Sequence, residues 1–364
     1  MKVAIVAPLV APLSEPQRGG SQVFVCDLAR GLSERGHEVD VYAASGSAVS
    51  GVNAIDTGVD HRPLQATLYR TSSTGERGLE VAQRAFARVY RAIREGDYEV
   101  VHNHAFDAPA VTLATGLQAP VLHTLHLPPE AEVAEALRRT AASDRPATVA
   151  CVSEHQARAW RRIVRVDAIL PPLVPAREIG FSPGAGSGAV FAGRFSPEKG
   201  AAEAIEIARA AGIPVELFGD GYDEEYARER IEPQRAEPGV VVHGSIPRTS
   251  LWQVMARAAV VLCPAKWDEP FGMVAAEAQA CGTPVVAFRR GALAEVIVDR
   301  VTGFLVAPGD IAAAAHAVGR APQLSRSKCR AHAESRLDLG RTLDGHELMY
   351  EQLTGPRVGA ATGA

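Results

Sequence analysis

Two carboxylates eight positions apart, Glu269 and Glu277, bracket Pro270-Phe271-Gly272-Met273 where an apolar run, Ala258 to Pro264, gives way to an Ala-rich helical pattern. With Gly272 at the turn from loop to helix, one acid falls in the loop. The other falls one to two turns into the helix, and both face one cleft. The unpaired amides of the first helical turn lie between them, and a helix start attracts anions. Acids beside an anion site suit a ligand that is part phosphate and part polyol, as a nucleotide sugar is.

Cations stand in a second segment, Val190-Phe-Ala-Gly-Arg-Phe-Ser-Pro-Glu-Lys-Gly200. A strand ends at Gly193, Arg194 and Lys199 lie in the loop, and Pro197 and Gly200 fit the start of the next helix. Arg can hold a diphosphate with its planar fork and Lys as a point charge; the plain alternative is a solvated loop. Gly19-Gly20 follows the first strand by a loop and opens a helix, so backbone and free amides can approach a ligand. It is not a G-x-G-x-x-G fingerprint, and an ordinary turn is the alternative. Gly219, in Phe218-Gly-Asp-Gly221, and the segment Gly244-Ser-Ile-Pro247 sit just past strand ends, where a nucleotide can be touched. His123 and His126 sit three apart at a strand end, where one can face the cleft. They and the pair His102 and His104 raise a metal site, but no cysteine or H-E-x-x-H pattern supports one. Glu295, at a helix start after Arg290-Gly-Ala-Leu-Ala, faces the same side or simply stabilises that helix.

The elements that must hold these residues read as alternating strands and helices. Lys2–Pro8 precedes a helix over Ser21–Arg35 closed by Gly36. Glu38–Ala43 is followed, after a variable loop, by Gly78–Arg94, and then come Val100–His102, Val121–Leu125 and Thr148–Val152. This is the pattern of a parallel sheet covered on both faces. Prolines at Ile169–Pro175 and glycines at Ser182–Gly188 mark a linker. The alternation then resumes at Ala189–Ala192, Ala201–Ala211, Val215–Phe218, Val240–His243, Val260–Cys263, Val285–Phe288 and Gly303–Val306. Two α/β domains leave a cleft at the carboxyl ends of their strands.

Composition agrees. A chain of 364 residues exceeds what one core usually serves. A net charge of −4 offers no basic footprint for nucleic acid. Five unpatterned cysteines read as reduced, buried thiols. The apolar run after Lys2 is too short to span a membrane and reads as a buried strand, so a cytoplasmic location is expected.

Taken in order along the chain, these segments resemble the retaining glycosyltransferases of family 4, with the GT-B fold of two Rossmann-like parallel-sheet domains facing a central cleft. The matching pieces are the Gly19-Gly20 loop, VVHNH at 100–104, LHTLH at 122–126, CVSE at 151–154, FAGRFSPEKG at 191–200, FGDG at 218–221, EPFGMVAAEAQACGTPVVA at 269–287 and GALAEVI at 291–297. The resemblance implies an acceptor-binding domain over 1–172 and a donor-binding domain over 173–340. A C-terminal helix from 341 would pack back toward the first domain, ahead of a frayed tail. It implies transfer of a hexose from a nucleoside-diphosphate sugar, of UDP or GDP type, to a small-molecule or lipid-linked acceptor, without a catalytic metal or other cofactor. Arg194 and Lys199 would hold the diphosphate. Glu277 would bind the ribose, and Glu269 with the amides near Phe271, Gly272 and Met273 would hold the sugar. His126 would contact that sugar, and Gly19, Gly20 and Gly219 would border the donor. The Ala-, Arg- and Gly-rich composition suggests a bacterial source and a natural-product or cell-envelope glycoside.

The chain departs from the family pattern in three places. Pro171-Pro-Leu-Val174 stands at the hinge, Lys266 and Trp267 precede the first acid and can reshape the sugar pocket, and Gly291-Ala292 replaces two glycines. Arg158, Arg161, Arg162 and Arg165 around Trp160 share a helical face that can meet a membrane surface or simply be solvated. Readings that compete with a transferase are a nucleotide-sugar epimerase, a pseudo-glycosyltransferase and a silent nucleotide-sugar-binding protein.

Overall fold

The computed structural model describes residues 1–355 apart from residues 18, 63, 65–75, 144 and 185. Part of the variable loop after Ala43 and the tail beyond Gly355 therefore lie outside the described residues. The first half builds β1 (Lys2–Val6), α1 (Gly20–Glu34), β2 (Glu38–Ala43), β3 (Asn53–Asp56), α2 (Glu76–Glu95), β4 (Val100–Asn103), α3 (Ala108–Ala114), β5 (Val121–Leu125), α4 (Ala131–Ala141), β6 (Thr148–Cys151), α5 (Glu154–Trp160) and β7 (Ala168–Ile169). The second half builds β8 (Ala189–Ala192), α6 (Ala201–Ala210), β9 (Val215–Phe218), β10 (Val240–His243), α7 (Arg248–Arg257), β11 (Val260–Cys263), α8 (Met273–Ala280), β12 (Val285–Phe288), α9 (Leu293–Val296), β13 (Gly303–Val306), α10 (Ile311–Arg320), α11 (Arg326–Arg336) and α12 (Leu339–Thr354).

The strand orders are β3-β2-β1-β4-β5-β6-β7 and β10-β9-β8-β11-β12-β13, with parallel pairings throughout both sheets. Order reverses between β1 and β4 and between β8 and β11, and the crevice at such a reversal is where open α/β sheets bind ligands. Side chains on a strand alternate between faces. Val3 and Ile5 thus enter the core under α1, while Ala4 and Val6 enter the one under α2. Phe24, Val25, Leu28 and Leu32 form the buried stripe of α1, and Gly36, at φ +88°, lets the chain leave that helix. Burial of each such large apolar side chain contributes roughly 1.5–3 kcal/mol.

Two short strands, β3 and β7, lie where the sequence reads as loop and linker. Both are sheet edges, and neither is deeply buried. The proline-rich segment is not a loose tether. Leu173, Val174, Ala176 and Ile179 sit in the second domain's core. Val174 N–H donates to the Leu337 carbonyl (2.9 Å), and Leu339 N–H donates to the Val174 carbonyl (2.8 Å). The chain thus crosses between domains twice, side by side. After the second crossing α12 packs on α1 through Leu339, Leu343 and Tyr350. Arg35 Nη1 anchors it to Asp344 (2.8 Å) and Glu347 (2.5 Å).

Candidate active site

The carboxyl ends of the two sheets enclose a cavity of about 640 Å³, a size suited to a small-molecule ligand. From the second domain, α8 points its N-terminus into it. Gly272 caps this helix at φ +105°, where an L side chain is strained, and a Cβ there would lie 2.7 Å from Leu293 Cδ2. Phe271 and Met273 flank it at the cavity wall. Glu269 is oriented from three sides. Lys199 Nζ reaches both its carboxylate oxygens (2.8 and 3.0 Å), and Trp267 Nε1–H donates to Oε2 (2.9 Å). The Ala292 N–H donates to its carbonyl (2.8 Å). That last contact needs Gly291, whose Cβ would fall 2.3 Å from the Glu269 backbone N and O.

Lys199 also lies 4.8 Å from the centroid of the Trp267 ring, a cation–π contact that fixes its direction. Arg194 lines the same cavity, with its guanidinium 4.8 Å from the Tyr222 ring and Nη2 3.3 Å from Glu198 Oε1. Gly219 borders the cavity just after β9.

Glu277 reaches the cavity as well, but its carboxylate is already engaged. Arg248, the first residue of α7, donates from Nε to Glu277 Oε1 (2.5 Å) and from Nη1 to Asp27 Oδ2 of α1 (2.6 Å). The triad therefore joins the donor-side acid to the first domain. Burial opposes the charge on Arg248, yet the carboxylates of Glu277 and Asp27 outweigh it and raise its pKa. Neither Arg248 nor Asp27 stands out in the sequence. The available signal is a cation directly after the Gly244-Ser-Ile-Pro247 strand end.

The first domain supplies Gly19, which caps α1 in extended conformation, and Gly20, its first residue; both line the cavity. His126 follows β5 and lines the cavity between Phe24 and Phe106, whose ring centroids are both 5.9 Å away. Its Nε2 lies 2.9 Å from His104 Nδ1. Burial, reinforced by His346, pushes the pKa of His126 down to about 3. Burial likewise holds His104 and His102 well below their ordinary value. These rings are neutral near pH 7. His123 is buried against Asn103, with Nδ1 3.1 Å from Nδ2.

Among the described residues, no three or more His, Cys, Asp or Glu side chains converge as metal ligands would. The histidines instead bond to one another and to Thr124 and Tyr350. Burial raises the thiols of Cys26, Cys151, Cys263 and Cys281 to about 12, so they are poor nucleophiles.

Two sequence expectations are corrected. Lys266 turns away from the cavity to Glu203 (2.8 Å), and only its neighbour Trp267 shapes the pocket. Glu295 does not line the cavity; its carboxylate accepts from the Glu154 (2.9 Å) and His155 (2.6 Å) amides of α5, joining the two domains. Around Trp160, whose ring is buried with Nε1–H donating to the Leu127 carbonyl (3.1 Å), Arg158, Arg161, Arg162 and Arg165 are all exposed, though the regular helix α5 carries only the first of them. Arg161 pairs with Glu154 and Arg165 with Asp167. No helix among the described residues is long and apolar enough to cross a membrane.

Residues 18–175 match the family described as "Glycosyltransferase Family 4" and residues 178–336 that described as "Glycosyl transferases group 1". A D-inositol 3-phosphate glycosyltransferase of Acidothermus cellulolyticus is 31% identical over 418 aligned positions, covering 99% of this chain and 92% of that one. The chain belongs to glycosyltransferase family 4. A second relative of that name from Kribbella flavida is 28% identical over 99% of this chain and 97% of its own. Among solved structures, the sucrose-phosphate synthase of Thermosynechococcus elongatus superposes with a TM-score of 0.78 at 22% identity, covering 97% of this chain and 98% of that one. HepE of Anabaena, in complex with UDP and glucose, gives 0.75 at 21%, over 98% and 100%. This family 4 glycosyltransferase therefore has the GT-B fold.

Proposed function

We propose that this glycosyltransferase moves a hexose from a UDP- or GDP-type nucleotide sugar to an acceptor hydroxyl with retention of anomeric configuration. The observation that carries the reading is the Lys199–Glu269 pair at the N-terminus of α8, with Glu277 on the same helix and Arg194 on the same wall. Cleaving a sugar–phosphate bond builds negative charge on the leaving diphosphate and positive charge on the ring. Arg194, Lys199 and the amides around Phe271, Gly272 and Met273 stabilise the first, and fixed charges of this kind are often the largest catalytic contribution. Glu269 binds the sugar and stabilises its positive charge. The acceptor attacks from the face the diphosphate leaves, and the leaving phosphate takes its proton. Glu277 holds the ribose by displacing part of Arg248. His126 contacts the sugar, while Gly19, Gly20 and Gly219 border the phosphates and nucleotide.

In this reading residues 1–172 bind acceptor and 173–340 bind donor. The protein works in the cytoplasm in bacterial natural-product or cell-envelope glycoside synthesis, and its side-chain and backbone positive charge serves in place of a metal. HepE, solved with UDP, supports UDP as the first donor base to try. The relatives' name makes a polyol phosphate the first acceptor to try.

The test is calorimetric titration of UDP, GDP, ADP and TDP into wild type and Glu277→Ala in the presence of EDTA. One nucleotide binds wild type, and the variant loses about 10-fold or more in affinity, the worth of a hydrogen bond to a charged group. If no nucleotide binds the folded wild type, the reading is wrong. Binding abolished by EDTA overturns its metal-free part.

A further inference from the structure

His126 lines the cavity with Nε2 held by His104, which leaves Nδ1 as its nitrogen available to a ligand, and which of the two carries the proton decides what the cleft is offered. We infer that His104 is a positioning residue that donates its Nδ1–H to His126 Nε2, fixing His126 with its proton on Nδ1 as a hydrogen-bond donor toward the transferred sugar. The inference rests on the reading above that His126 contacts the sugar.

His104 and His126 share one contact, Nδ1 to Nε2 at 2.9 Å, and both rings are buried. Either neutral ring can be the donor. Burial disfavours charging either one, so each carries a single ring proton. His104 Nε2 is buried and, among the described residues, has no hydrogen-bond partner. Were the proton on Nε2, a buried N–H would be orphaned. With the proton on Nδ1, only a bare lone pair is left unpaired, and orphaned acceptors are tolerated better than orphaned donors.

The same economy operates one ring away. His346 Nδ1 faces the Thr342 carbonyl at 2.7 Å. A carbonyl can only accept, so Nδ1 carries the proton, and the buried Nε2 of His346, without a partner among the described residues, is the bare nitrogen. His104 cannot swing to another partner. His102 lies against it with ring centroids 3.9 Å apart, and is itself fixed by Thr124 Oγ1 and the Tyr350 hydroxyl, each at 2.7 Å. Phe24 packs edge-on to His104 at 5.6 Å. Once His126 Nε2 accepts, its one proton sits on Nδ1. A neutral Nδ1–H can donate to a sugar oxygen and cannot act as a base from that atom.

Long-range ¹⁵N–¹H correlation spectra of the full chain labelled at histidine test this directly, with assignments from His104→Asn and His126→Gln. The expected signature at pH 7 is a neutral His126 protonated on Nδ1. An Nε2-protonated or charged His126 overturns the inference, whether or not any sugar is transferred. Kinetics supply the second arm. His104→Phe keeps a ring but offers no donor, whereas His104→Asn returns an N–H near the lost Nδ1–H. The expected result is a fall in kcat of roughly 10- to 100-fold for His104→Phe, with the donor KM little changed, and kcat within about threefold of wild type for His104→Asn. Equal losses in the two variants, or wild-type kcat in His104→Phe, overturn it. If wild type uses no nucleotide sugar, the function proposed above fails, and the spectrum alone decides whether His104 sets the tautomer.

Discussion

Arg248 carries its charge where water screens it little. Its side chain is 11% exposed, that of Asp27 5% and that of Glu277 6%. One cation serves two buried carboxylates, so Arg248→Ala leaves Glu277 without its cation and Asp27 with Arg30 alone, 3.5 Å away. Breaking a buried pair in this way costs about 3–5 kcal/mol. We expect urea denaturation to show that loss and Asp27→Asn in the Arg248→Ala background to restore part of it. A loss below about 1 kcal/mol would mean that water already pairs these groups. Part of this site is legible from residue type and spacing: Glu269 and Glu277 around Gly272 announce themselves within nine residues of sequence. Arg248 does not, because its meaning depends on Asp27, 221 positions earlier. His104 was visible only as one of a histidine pair, since hydrogen bonding between separate strand ends leaves no local spacing rule.

Elements are better written in the chain than contacts are. Strands buried on both faces give unbroken apolar runs, as in Val260–Cys263 and Val285–Phe288, so their existence and near boundaries follow from composition. Edges such as β3 and β7 lack that pressure, and the prolines at 171 and 172 look like a tether because their neighbours' burial depends on residues near 337. The start of α8 is the element whose placement matters most here. Gly272→Ala forces an L residue to φ +105°, which costs roughly 1–3 kcal/mol. It also presses a methyl toward Leu293, itself only 1% exposed. Yielding at that point rotates the first-turn amides away from the Lys199–Glu269 pair. The expected result is a lower melting temperature together with weaker nucleotide binding by calorimetry. A folded variant with unchanged affinity would remove these amides from the donor site.

At the scale of the whole molecule, the cleft is a balance between two crossings that permit motion and contacts that resist it. The paired segments at 174 and 337–339 act as a double strap, and α12 belongs by packing to the first domain. Two of the contacts across the cleft are of unlike strength. Glu295 on the α5 amides is solvent-exposed, and each such hydrogen bond contributes about 1 kcal/mol or less. Asp27 on Arg248 is buried and ionic, so it should dominate. Asp27→Asn is the clean way to weaken it, because Arg248 then faces Glu277 one charge to one. Combined with Glu295→Ala, it removes both of these contacts while leaving the cavity-lining acids in place. Small-angle scattering of this double variant without nucleotide should give a larger radius of gyration than wild type, with Asp27→Asn alone accounting for most of the change. An unchanged radius would mean that the straps, α12 and the remaining pairs Arg30–Glu178 and His155–Asp268 suffice to hold the domains together. Arg248 would then serve only to hold Glu277, and nucleotide binding would not need to break a contact between domains.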